Sequence, residues 1–199
     1  MKCLLNFLFL LIPFCLFGQS IDVLANISSE LNDTEIRIYR DRGITNSGEI
    51  FRIYKENNVW KAELIQWFLP KQLRKDEFER IPPKINVLKS QKPLDEIFLN
   101  IEAKNINFLP KQNYFEYKKS KNDVVFDDTF QTFIILKKVS AVLDGTGYLV
   151  KYKSGNLQNE FEYDNPETFL KMFPEIDELK DFVDILKYIR KEFNINFKL

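Results

Sequence analysis

Carboxylate groups are the side chains of this sequence best suited to chemistry, because the 199-residue chain contains no histidine. Without histidine there is no Ser-His or Cys-His nucleophile pair, and the commonest zinc ligand is missing. The two cysteines, Cys3 and Cys15, lie in an amino-terminal segment that has the pattern of a removable leader. Its cleavage would take away thiolate catalysis, disulfides and thiolate metal sites. Paired carboxylates are the catalytic device that remains.

Two carboxylate pairs stand out by their spacing. Asp127 and Asp128 are adjacent, so a strand would point them to opposite faces. Glu160 and Glu162 share one face of a predicted strand, but it is the face opposite Phe161, which favours solvent-exposed positions. No spacing resembles a calcium loop. We therefore predict no metal site, no cofactor and no catalytic residue, with a carboxylate-dependent hydrolase kept as an alternative.

Aromatic rings form the second group with a candidate function, since planar rings on a sheet face can hold sugars by stacking. Four rings on predicted strands are candidates for a ligand-binding aromatic face: Trp60, Trp67, Tyr148 and Tyr152. They alternate as core positions also do, so packing and binding both remain open interpretations.

A run of lysines lies near two tyrosines, Tyr114 and Tyr117. The lysines concerned are Lys111, Lys118, Lys119 and Lys121. We interpret this basic patch as a solvated sheet edge that lysines protect from aggregation.

Residues 1–20 have the layout of a secretory signal peptide. Met1-Lys2 gives a short positive start and Leu4 to Phe17 is mainly apolar, while Gly18-Gln19-Ser20 allows a cut after Ser20 or after Gly18. We predict that this leader is cleaved and that the protein is periplasmic or secreted.

Two alternatives to cleavage fit residues 1–20 less well. A membrane anchor would need about 20 apolar residues, and this run is shorter. Lipidation of Cys15 would favour a small preceding residue, where Phe14 stands. We therefore predict no permanent membrane span in the mature chain.

The remaining chain, residues 21–199, is predicted to form one globular domain, because its length suits a single core. With 29 basic and 29 acidic side chains the formal net charge is zero. Nucleic-acid-binding proteins usually carry a clear basic excess, so we predict no nucleic-acid partner.

Periodicity predicts an α+β fold, an antiparallel sheet of two hairpin-helix units with helices packed mainly on one face. Strands are expected at 35–42, 49–56 and 59–68, with a tight turn at Asn57-Asn58 and a long surface connection over 69–92. Later elements are a helix from Pro93, one or two short strands around a tip at 120–123, β-rich residues 130–143, a turn at 144–147, a hairpin over 148–163, and helices from Pro166 and Pro174.

The sequence thus predicts an exported, non-catalytic α+β protein with a binding or interaction role. The partner would be a protein or a glycan. Two alternatives remain: a carboxylate-dependent hydrolase acting on a glycan or envelope polymer, and an inhibitor or immunity-type protein.

Overall fold

Antiparallel strands with alternating apolar residues form the centre of the fold. The structure, a computed structural model, describes residues 20–40, 46–140, 142 and 145–196. Its strands are β1 (Thr34–Arg40), β2 (Ser47–Glu56), β3 (Val59–Phe68), β4 (Lys71–Arg74), β5 (Glu77–Glu79), β6 (Lys84–Val87), β7 (Ser120–Asp127), β8 (Thr132–Val139), β9 (Gly147–Ser154) and β10 (Leu157–Asp164). Its α-helices are α1 (Ile21–Leu24), α2 (Leu94–Glu102), α3 (Pro166–Met172) and α4 (Asp177–Phe193).

Six of these strands form one sheet in the order β10-β9-β1-β2-β3-β6, and every neighbouring pair is antiparallel. The pairs β4-β5 and β7-β8 are separate two-stranded ribbons. Tight turns set the register of the main sheet. Asn57 and Asn58 both have positive φ, 49° and 62°, as a two-residue hairpin turn that follows the strand twist requires. The predicted α+β class is confirmed.

The first face of the sheet packs against α2, α3 and α4 and forms the larger core. The apolar stripe predicted for the last helix is buried: Ile176, Leu179, Phe182, Val183, Leu186 and Ile189. Phe182 meets the rings of Tyr148, Phe161 and Tyr163 edge-on, with centroids 5.2–5.6 Å apart. The helix begins at Asp177 rather than at Pro174, with Ile176 in the preceding cap position.

The second face of the sheet is covered by α1 and the chain that follows it. Leu24 and Ala25 pack on Tyr39, Ile50 and Trp67 in a smaller cluster of apolar side chains. The central strand β1 is therefore buried on both faces, although its sequence alternates apolar with charged residues. Charged side chains of β1 must consequently be satisfied inside the protein.

Two predicted segments differ from the structure. Residues 69–92, expected to be a surface connection, include the β4-β5 hairpin and the edge strand β6. Residues 111–128 form two 3-10 turns, Gln112–Tyr114 and Glu116–Lys119, followed by β7. The chain reverses after Asp127 and not at 120–123, because β7 continues through that polar stretch. The predicted turn at 144–147 lies partly outside the described residues.

Candidate functional site

The ribbon of β7 and β8, residues 120–139, projects from the domain and is called the arm below. Its strands pair in continuous register from Ser120 and Val139 to Asp127 and Thr132. Outside its own two strands, the arm's main neighbour is the 3-10 turn Glu116–Lys119 that leads into it. The arm therefore takes no part in either core cluster.

One face of the arm is apolar and open to solvent. Directly opposed residues share a face, which brings together Val124 with Ile135 and Phe126 with Phe133. These four residues, called the arm face below, are 71%, 72%, 47% and 71% exposed. The two phenylalanine rings meet edge-on at 5.2 Å. Exposed apolar side chains grouped in this way are typical of an interaction surface.

The apolar residues of the arm are consecutive as well as exposed. Val124 to Phe126 and Phe133 to Leu136 form unbroken runs, a pattern typical of strands that are covered on both faces. A two-stranded hairpin alone is marginally stable in water at best. The arm thus has the sequence of a covered strand pair without a cover among the described residues.

Charges on the arm balance one another. Three lysines and three aspartates are involved: Lys121, Lys137, Lys138, Asp123, Asp127 and Asp128. Lys138 donates to Asp123 across the strands at 3.1 Å. Asp127 Oδ1 accepts from the backbone N–H groups of Thr129 and Phe130, at 2.8 and 3.2 Å, which shapes the tip.

A second candidate site is the set of buried charges beneath the cover of the second sheet face. Arg37 is fully buried and donates to Glu35 at 2.8 Å, to Asp22 at 3.3 Å and to the Ser28 carbonyl at 2.8 Å. Arg52 donates to the same Glu35 oxygen at 2.8 Å. The network ties residues 22–32 to the sheet, since Asn32 also donates to Glu35.

The ionisation of Glu35 follows from these partners. Burial on its own would raise the pKa of Glu35, but the hydrogen bond from Arg52 and the charges of Arg37 and Arg52 outweigh it. The pKa therefore lies below its ordinary value of 4.5. A carboxylate held in its charged form is suited to holding structure together and not to donating a proton.

This lowered pKa predicts how the fold responds to acid. A carboxyl group whose pKa falls on folding stabilises the protein above its ordinary pKa, and that contribution is lost as pH drops through the folded value. Glu35→Gln should lower the melting temperature at neutral pH and flatten its decline below about pH 4.5. Melting curves from about pH 7 to about pH 2 test this, with Glu160→Gln, a change to an exposed side chain on β10, as the control. A Glu35→Gln profile parallel to the wild type would contradict the role.

The four aromatic residues predicted as a ligand face do not share a face. Trp67 lies on the second face of the sheet, whereas Trp60, Tyr148 and Tyr152 lie on the first, beneath the helices. Trp67, Tyr148 and Tyr152 are only 3%, 2% and 1% exposed, and Trp60 is half-buried against Phe98. Burial raises the pKa of the Tyr148 and Tyr152 hydroxyls to about 12. The stacking role stays a prediction. A sugar would reach the buried rings of Trp67, Tyr148 and Tyr152 only if the helices or loops that cover them moved away.

The lysines predicted as one solvated patch are separated in the structure. Lys118 pairs with Glu178 at 2.7 Å. Lys119 is buried, 4.0 Å from the centre of the Phe169 ring and 2.8 Å from Glu116. The solvated-edge interpretation is therefore wrong for Lys119, because the 3-10 turn directs it inward.

The other predicted carboxylate pairs have structural or solvent-facing positions. Glu160 and Glu162 are exposed on β10, and Asp127 shapes the arm tip. Where a carboxyl pKa shift is resolved in the described chain, it is downward, as in Glu35, Glu56, Glu178 and Asp184. Within the same residues no group of three or more metal-ligating side chains forms a metal site.

No protein-family model, characterised protein or solved structure matches this chain. None of the helices in residues 20–40, 46–140 and 145–196 is long and apolar enough to cross a membrane.

The sequence does not predict the arm, because the polar residues 120–123 indicate a tip and residues 130–143 indicate a separate β-rich run. One feature of the sequence does indicate an unusual strand: residues 133–136 are four consecutive apolar residues, and no predicted amphipathic helix is left to cover both of their faces. What the sequence could not show is that the ribbon leaves the body of the domain.

Proposed function

We propose that this chain is an exported protein that acts by binding another protein through the arm face. The exposure of Val124, Phe126, Phe133 and Ile135 on a ribbon outside both cores carries the proposal. Such residues contribute little to the fold, and grouped apolar side chains at the centre of an interface supply much of its binding energy.

The chemistry of the arm favours a protein over the other classes of partner. The two phenylalanine rings of the arm face meet edge-on, so they do not form one flat platform for a sugar, and the valine and isoleucine beside them offer no planar surface. A negatively charged bilayer would repel Asp127 and Asp128, which lie just before the apolar tip residue Phe130. An inhibitor or immunity-type role is the case in which the bound protein is an enzyme.

Export is part of the proposal and rests on the signal-like pattern of residues 1–20. Ser20 bears on the position of the cut. Its hydroxyl accepts from the Val23 N–H at 3.4 Å and its carbonyl accepts from the Leu24 N–H at 3.2 Å. A cut after Gly18 would keep this helix cap, whereas a cut after Ser20 would remove it.

Site-specific photo-crosslinking in the native host tests the binding role. Benzoylphenylalanine would replace Phe133 on the arm face or, as the matched control, Phe108, which is similarly exposed at 76% but lies outside the arm. We expect an adduct with another exported protein from Phe133 only, and an intact mass for the exported chain that lacks the leader. Equal labelling from the two positions, or an adduct of two copies alone, would contradict the proposal.

A further inference from the structure

The outer edge of strand β7 carries backbone groups that no neighbouring strand pairs with among the described residues, and this edge is distinct from the arm face. β7 pairs with β8 along one edge, and among the described residues no strand pairs along the other. The backbone groups of such an edge are a ready template for a further strand. Proteins often block edges with proline, a bulge or lysines. Residues 120–127 contain no proline and no bulge, and the one lysine among them is Lys121.

We propose that two copies of this chain pair antiparallel through β7 across a two-fold axis, with Val124 opposite its own copy. This contact uses the strand edge and leaves the arm face open. It is therefore independent of the partner proposed above and goes beyond it, because it joins two arm faces into one surface.

Charge and the overlap of the two strands together select the register. With Val124 on the axis, Lys121 of each copy lies opposite Asp127 of the other, which gives two pairs of opposite charges. With Asp123 on the axis, that aspartate would oppose itself. With Val125 on the axis, Asp123 would oppose Asp127. Centring on Asn122 would also oppose unlike charges, Lys121 and Asp123, but Asp123 is already paired with Lys138, and Val125 and Phe126 would lie outside the pairing.

The two complementary groups are available within one copy. The Lys121 side chain makes no ion pair or hydrogen bond among the described residues, and the nearby Asp123 is paired with Lys138. Asp127 accepts its backbone hydrogen bonds through Oδ1, which leaves Oδ2 for a partner. The two-fold pairing would supply each group with the opposite charge it lacks.

The edge of β8 does not offer the same match. Thr132–Val139 carries Lys137 and Lys138 and no acidic residue, so two copies of β8 bring no opposite charges together. Pairing through β7 also turns two ribbons into a four-stranded sheet. Three or more strands are what a sheet with an apolar face needs for independent stability.

Disulfide trapping tests the register in the full chain, expressed with residues 1–20 so that its host processes it. Opposed residues in an antiparallel pair have Cα atoms about 4.5–5.5 Å apart, within disulfide range. Val124→Cys should give a covalent dimer under mild oxidation. Val125→Cys is the matched control, since its copies would lie about 7 Å further apart along the strands. The unsubstituted chain reports any background from Cys3 and Cys15.

A charge reversal tests the pairing without a crosslink. Lys121→Glu would place like charges opposite each other twice, so we expect the dimer dissociation constant to rise about tenfold in sedimentation equilibrium. Lys137→Glu makes the same charge change on the other strand and should leave the constant near the wild-type value.

Two results would overturn the pairing: an unsubstituted chain that stays monomeric at high concentration, or Val125→Cys crosslinking as fast as Val124→Cys. If the chain is monomeric but benzoylphenylalanine at position 133 still crosslinks another exported protein, the two-fold pairing is wrong and the proposed function stands.

Discussion

Arg37→Leu is expected to lower the free energy of unfolding by about 3–5 kcal/mol. The guanidinium is fully buried and holds Glu35, Asp22 and the Ser28 carbonyl together. Leucine fills much of the space but takes a cation away from two buried carboxylates. Glu35 would keep only Arg52 as its cationic partner, and Asp22 would keep the Tyr39 hydroxyl and the more distant Lys151. For a chain of this size the loss corresponds to a fall in melting temperature of about 10 °C.

Denaturant unfolding followed by the fluorescence of Trp60 and Trp67 measures this loss. Lys61→Leu is the control, because Lys61 pairs with Glu56 on the exposed surface and should change little. In the double variant with Glu35→Leu, the cost should be less than the sum of the single changes, since the carboxylate that lost Arg37 is then removed as well. An Arg37→Leu variant as stable as the wild type would show that the charge network does not hold the cover in place.

Shortening the arm, in contrast, is expected to leave the free energy of unfolding almost unchanged. Ser120 and Val139 are the first opposed pair of the ribbon, so an Asn-Gly turn can replace residues 121–138 between them. Because the arm lies outside both cores, we expect the free energy of unfolding to change by less than about 1 kcal/mol.

The positive control for that experiment is a residue of the main core. Phe182→Ala should cost about 3–5 kcal/mol, because its ring packs on three other rings beneath the helices. A shortened-arm variant that melts as early as Phe182→Ala would mean that the arm is part of the folding unit.

Local patterns were sufficient to predict much of the sheet and the helices. The Asn57-Asn58 turn, the helix over Leu94–Glu102 and the apolar stripe of the last helix all depend on residues close in sequence. The start of the last helix was predicted too early, because Pro174 also suits the turn before a helix.

The buried charge network could not be predicted in the same way. Glu35 meets Arg52, and Arg37 meets Asp22, at separations of 17 and 15 residues. Alternation of charged and apolar residues in β1 predicts a strand but does not show whether its charged face meets solvent or a cover. The cover itself, residues 20–33, is largely irregular and has no periodicity to identify it.

The arm shows a second property that local sequence patterns do not predict, namely whether a strand is exposed. Consecutive apolar residues in 133–136 predicted a strand, and the strand is present as β8. Its exposure depends on where the ribbon leaves the body of the domain, which is a tertiary property. The aromatic residues chosen as a binding face are buried for the same reason, since the helices pack on the sheet face that holds three of them.

Partner binding by the shortened-arm variant tests the central claim most directly. The partner identified by crosslinking at Phe133 would be titrated against the wild-type chain and against the variant, with the melting temperature of each measured in parallel. The arm-binding claim predicts a variant that folds as the wild type does and has lost measurable affinity for the partner. A folded variant that binds with wild-type affinity would contradict it and place the binding surface elsewhere on the domain.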